Sequence, residues 1–310
     1  MFKSWSIIAL GAMALLTGPA SFAEDDDDKQ DEGRFEKTLP ADPKGAVIVK
    51  NVAGEVRIVG SNRNEIEVQA NYEEGVERID FVRDGARTRI EVVLPKRNDK
   101  RRHHRNGDAY LEIRVPQGSE LEVQTVSAEI EVRDVQGRQR LRSVSGNVET
   151  DLEQSELQLE TVSGDVLIRG NGKPTNLRAR TVSGNLTLDR GAGQVDATTT
   201  SGDLILEVEP AKDVRVRTTS GNLRLSGDLT TDGEVEADTV SGELSVRLKS
   251  AGFRYDVSTF SGDIETCMGK KPERASEYGP GMLLNGVYGN GKGDVRLKTM
   301  SGDVEICGKG

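Results

Sequence analysis

The chain has 310 residues, with 52 acidic against 42 basic side chains and only 4% aromatic residues. A net charge of −10 favours solubility and argues against general nucleic-acid binding, which needs a positive surface to displace counterions. No nucleophile motif, phosphate loop or metal-ligand spacing occurs in it, so no catalytic residue, metal or other cofactor is expected.

The first segment carries Lys3, an apolar run from Ile7 to Leu16 and the small-residue site Ser21-Phe22-Ala23. That is the layout of a secretory signal peptide, residues 1–23, cleaved after Ala23. The run is too short to cross a bilayer, and no later stretch reaches the roughly eighteen apolar residues required. The mature chain is therefore expected to lack a transmembrane segment and to reside in the periplasm or at the cell exterior. Residues 24–33 follow as an acidic linker, opening with Glu24-Asp25-Asp26-Asp27-Asp28, whose like charges repel and keep it disordered.

Residues 34–124 alternate apolar and polar side chains in short runs, among them Val47-Ile48-Val49, Val56-Arg57-Ile58, Ile66-Glu67-Val68 and Tyr110-Leu111-Glu112-Ile113. These read as degenerate solenoid coils or a cap, with continuation of the solenoid preferred. Between two of the strands lies a basic loop, residues 96–106. It carries Lys96, Arg97, Lys100, Arg101, Arg102 and Arg105 together with both histidines. A solvated loop is the plain reading, and binding of an anionic envelope polymer or lipid headgroup is the sharper one.

From residue 125 a motif recurs: Thr125-Val126-Ser127-Ala128, then Thr161-Val162-Ser163-Gly164, Thr181-Val182-Ser183-Gly184, and on to Thr299-Met300-Ser301-Gly302. Successive motif serines lie 18, 18, 20, 18, 19, 21, 20 and 40 residues apart. Strand alternation flanks each copy, as in Val214-Arg215-Val216 before Ser220 and Leu223-Arg224-Leu225 after it. At about 3.3 Å per residue, such a repeat makes a turn of roughly 60 Å, with coils stacking at about 4.8 Å. Leucine-rich horseshoes need a different leucine frame, and propeller blades need about forty residues each. The fold expected is an all-β parallel β-helix, or β-solenoid, with coils of about 18–21 residues, in which stacking supplies the stability.

The opening copy Asn51-Val52-Ala53-Gly54-Glu55-Val56-Arg57-Ile58 and the serial Thr-x-Ser-Gly-Asp motifs resemble the DUF4097/DUF2807 group of bacterial β-strand-repeat proteins, often labelled candidate adhesins. The resemblance covers nearly all of residues 35–310. It implies a β-helical fold and carries over no catalytic residue.

Three side-chain columns follow from the repeat. Apolar residues six and four positions before the serine, and three and five after it, are expected to face inward together with Thr and Ser. The residue between Thr and Ser forms a ladder of Val126, Val144, Val162, Val182, Thr200, Thr219, Val240, Phe260 and Met300. Strict alternation makes it an exposed apolar stripe and a candidate binding surface, whereas a bend near Thr turns it inward; the bend is the preferred expectation. The residue after glycine, Asn147, Asp165, Asn185, Asp203 and their successors, is expected to shape a turn rather than hold calcium.

Cys267 and Cys307 each fall six residues after a motif serine. If their coils are neighbours, the two form a disulfide, which requires residues 268–292 to be an excursion from the stack. Acidic residues are spread evenly by the repeat, so no coil builds a clustered carboxylate site. The function expected is therefore an exported, non-enzymatic, adhesin-like scaffold that binds an envelope protein or polymer. A self-associating structural protein is the alternative, and a β-helix enzyme acting on polysaccharide a more distant one.

Overall fold

The computed structural model describes residues 33–95, 107–153, 155–250, 252–277 and 279–308. No helix occurs among the described residues; the chain winds as an all-β solenoid whose rungs are held by parallel ladders. Each rung is two short strands meeting at the Ser-Gly corner, for example Glu156–Ser163 followed by Val166–Gly170. Motif serines are in register: Ser145 pairs with Ser163, Ser220 with Ser241, and isolated bridges link Ser163, Ser183, Ser201 and Ser220.

The core is the two inward columns. Leu157, Leu159, Val166 and Ile168 are buried to 2% exposure or less, and their equivalents in other rungs follow suit. Complete burial of one such side chain stabilises by about 1.5–3 kcal/mol, so a regular stack accumulates stability rung by rung. One rung departs from the apolar rule. Gln139 and Thr150 replace two aliphatic positions and satisfy each other, Thr150 Oγ1 donating to Gln139 Oε1 at 2.6 Å while Gln139 Nε2 donates to the carbonyls of Val135 and Asp151.

The preferred inward bend at Thr does not occur. Thr161 is buried, Val162 is 47% exposed, and Ser163 is exposed, so alternation holds through Thr and Val and breaks one residue later, at Ser. The physical reason lies in the glycine column. Gly202 has a φ of +136°, and a Cβ built there would lie 2.2 Å from the Gly184 carbonyl oxygen of the rung beneath. The corner is thus placed at the one residue that permits both that dihedral and that approach, leaving the preceding serine outside. The buried threonines bond their own corner or a neighbour: Thr125 Oγ1 reaches Ser143 Oγ at 3.2 Å and Thr199 Oγ1 the Ser201 carbonyl at 3.3 Å. The hydroxyls of Thr181, Thr218, Thr239 and Thr299 have no partner among the described residues, so these residues contribute mainly through their methyl groups.

Both ends of the stack are assembled out of chain order. Ala46–Ser61 pairs in parallel with Glu120–Arg133 on one edge, and with Arg87–Val93 and Asp108–Pro116 on the other. The rung formed by Arg87–Val93 and Asp108–Pro116 therefore lies outside an earlier one. Antiparallel strands cover it: Arg78–Asp84 pairs with Arg87–Val93, Glu65–Tyr72 with Asp108–Pro116, and Arg34–Pro40 with Glu65–Tyr72. At the other end the last strands, Gly293–Ser301 and Val304–Gly308, slot between the Ser241 rung and the Ser261 rung. Met282–Gly289, within the segment 268–292, runs antiparallel along the Ser261 rung on its outer edge.

Candidate binding surface

The slotted rung makes Cys307 the neighbour of Cys267, with Cα atoms 5.2 Å apart and the two sulfurs bonded. The disulfide thereby ties the last strand of the chain to the outermost rung.

Outside the core, the residue between Thr and Ser repeats at the rung spacing. In spatial order the column runs Val126, Val144, Val162, Val182, Thr200, Thr219, Val240, Met300 and Phe260, following the serine register. Its apolar members are between 45% exposed at Val240 and 60% at Phe260. At about 4.8 Å per rung the stripe is roughly 38 Å long. Thr200 and Thr219 divide the column into an apolar run of four and one of three, each exposed in line on one face.

Two polar borders flank the stripe. On one side stand Arg142, Glu160, Arg180, Arg217, Asp238 and Lys298, with Arg142 paired to Glu160 at 3.2 Å and Arg217 to Asp238 at 3.5 Å across adjacent rungs. On the other side, beyond the corner, the Asn/Asp column bonds upward. Asp165 N–H donates to Asn147 Oδ1 at 3.0 Å, Asn185 N–H to Asp165 Oδ1 at 2.9 Å and Asp203 N–H to Asn185 Oδ1 at 3.0 Å. Each side chain caps the turn above it, which is why a short acceptor recurs there.

The remaining outward face is laced with ion pairs between rungs. Glu149 accepts from both Arg133 and Arg169, and Glu305 accepts from Arg247 and from Ser245. Hydrogen bonds from Arg114 to Glu67, from Arg169 to Glu149, from Gln158 to Glu160 and from Arg247 to Glu305 hold those four carboxyls below their ordinary range. Burial pushes the Asp151 carboxyl the other way, upward. A depressed folded pKa contributes stability at neutral pH that is lost as pH falls through the folded value; Asp151, with a raised pKa, works in the opposite sense. With four such carboxylates against one, the urea midpoint is expected to fall between neutral pH and about pH 3. A midpoint that rises over that interval would contradict the assignment.

The basic loop, with Lys96, Arg97, Lys100, Arg101, Arg102 and Arg105, lies outside the described residues, as do the segments read as signal peptide and most of the acidic linker. No group of three or more potential metal ligands occurs among the described residues, and no described helix is long and apolar enough to cross a membrane. Sequence reading passed over Tyr110. Its outward place in the alternating run Tyr110-Leu111-Glu112-Ile113 is the signal that marks it as exposed, and it is 48% accessible.

A family model described as Toastrack DUF4097 matches residues 45–307. Among solved structures, a candidate adhesin from Bacteroides fragilis is 11% identical, covering 89% of this chain and 97% of its own, with a TM-score of 0.44. A candidate adhesin from Parabacteroides distasonis is 11% identical, covering 89% and 98%, with a TM-score of 0.43. A candidate cell adhesion protein from Clostridium sporogenes is 14% identical, covering 89% and 100%, with a TM-score of 0.24. No curated protein matches the sequence.

Proposed function

The chain belongs to the Toastrack DUF4097 family, and because its solenoid carries a mainly apolar stripe interrupted only by Thr200 and Thr219, we propose that it is an exported, adhesin-like scaffold that binds an envelope component or protein partner along that stripe. The single observation that carries this reading is the exposure of Val126, Val144, Val162, Val182, Val240, Met300 and Phe260 in one line. Burial of such a line on association is the main favourable term available to this surface. Export rests on the Lys3, Ile7–Leu16 and Ser21-Phe22-Ala23 pattern.

A non-catalytic role is supported by how the acids are used. Described carboxylates such as Glu160, Asp196, Glu236 and Glu305 are engaged by arginines of neighbouring rungs, and the post-glycine acids cap turns. Such groups are committed to the scaffold rather than converged on a substrate. End-to-end self-association is disfavoured by the antiparallel strands laid over the outermost rungs, which occupy edges that a second solenoid would need.

The test is a paired substitution, Val162→Lys with Val182→Lys. Both positions face solvent, so the urea midpoint should shift by no more than about 0.5 kcal/mol in stability. Photo-crosslinking from Val144 in the intact envelope should capture a partner in the wild type and lose most of it in the variant. Undiminished capture would remove the stripe from the interface.

A further inference from the structure

A second surface lies on the capped end of the solenoid, next to the rung of Val126 where the stripe begins but built from other residues. The strands Ala46–Ser61, Asp108–Pro116, Glu65–Tyr72 and Arg34–Pro40 lie side by side, and their outward residues line a groove of about 420 Å³. The register builds a small grid. Tyr110 stands between Glu55 and Asn71, and Glu112 stands between Arg57 and Gln69. Neighbouring positions are about 4.8 Å apart across strands and roughly 6.7 Å apart along them, a mesh on the scale of a sugar ring.

Three of these side chains are idle. Tyr110, Asn71 and Glu112 take part in no side-chain hydrogen bond, ion pair or ring contact among the described residues, whereas their neighbours Arg57 and Arg114 pair with Glu131 and Glu67. An exposed aromatic ring beside an unused amide and an unused carboxylate supplies what a polyol needs. The ring offers a flat apolar face for sugar C–H groups, the carboxylate accepts from hydroxyls, and the amide both donates and accepts. The charges lining the groove balance, Arg34 and Arg57 against Glu55 and Glu112, so neither an anionic nor a cationic polymer gains from it.

We propose that this groove binds a neutral saccharide, with Tyr110 as the stacking platform and Asn71 and Glu112 as the hydroxyl-binding pair. The site is independent of the apolar stripe and stands or falls without it. Calorimetric titration of the full mature chain with neutral tetrasaccharides of glucose, mannose and N-acetylglucosamine should give binding to at least one, and none to an oligogalacturonate of equal length. Tyr110→Ala should weaken the positive titration about tenfold or more, Tyr110→Phe should retain most of it because the ring face is kept, and Glu112→Gln should weaken it while leaving the urea midpoint unchanged. Val162→Lys, on the stripe, should leave it untouched. Absence of binding to all three neutral probes, a preference for the anionic oligomer, or an unaltered titration in Tyr110→Ala would each overturn the assignment.

Discussion

Replacing Gly202 with alanine should destabilise the solenoid by about 3 kcal/mol or more, among the largest effects open to a one-carbon change in this chain. Two penalties act together. The φ of +136° lies in a region essentially reserved for glycine, and the added Cβ would sit 2.2 Å from the Gly184 carbonyl oxygen and 2.7 Å from its carbon. Neither neighbour can give way, because Gly202 N–H itself donates to Ser220 O at 3.1 Å and Gly184 N–H to Ser201 O at 3.1 Å. A shift at one corner therefore travels into the rungs on both sides. Gly85 is the matching control. Its φ of +59° suits Asn as well as Gly, and a Cβ there meets nothing within 4 Å, so Gly85→Asn should cost about 1 kcal/mol or less. Urea unfolding of the two variants decides the matter, and a Gly202→Ala midpoint within the error of wild type would show that the corner column tolerates movement.

Removing the disulfide should have the second large effect, and a local one. Serine at both Cys267 and Cys307 opens a closed loop with a sequence separation of 40, worth about 4 kcal/mol on the chain-entropy estimate. In a solenoid each rung feels chiefly its neighbours, so the loss should concentrate at the tip rather than spread over the stack. Amide hydrogen exchange is the suitable readout. Residues 252–308 should exchange markedly faster in the double variant, while the rungs from Glu120 to Ser220 keep their protection. Equal acceleration throughout would mean that the molecule unfolds as one unit and that the bond stabilises all of it.

Much of this architecture was legible because every coil repeats one solution. Leu157, Leu159, Val166 and Ile168 show the inward pattern in a single rung, and eight further copies repeat it with small changes. The location of the corner was harder. Alternation states which residues share a face but not where a strand turns, and only the stacked Gly–Gly approach puts the break at Ser rather than at Thr. The inserted final rung was harder still, since Val295-Arg296-Leu297 pairs equally well with Val235-Glu236-Ala237 as with Tyr255-Asp256-Val257. What sets the order is aromatic. Phe253 packs against Tyr288 of the covering strand with ring centroids 5.4 Å apart and against Tyr255 at 6.3 Å, a cluster that suits the tip beneath a cap and not the narrow aliphatic interior. Of the candidate sites, the stripe was readable as a ladder, whereas the Tyr110 groove needed strands far apart in sequence, Arg34–Pro40 and Asp108–Pro116, to be brought to the same sheet.

The wedged position of residues 293–308 also sets a timetable for the molecule. A solenoid whose rungs follow chain order can grow like a winding spring, each coil settling on the one before it as it emerges. Here the strand Gly252–Ser261 is made forty residues before the partner on which it rests, Gly293–Ser301, so it has no finished surface to land on when it appears. Residues 253–261 therefore gain their parallel partner only once Gly293–Ser301 has been made, and the bond between Cys267 and Cys307 joins the two rungs after both exist. A chain cut short after Met268 would lose its last rung, the strand that covers the tip and the disulfide all at once.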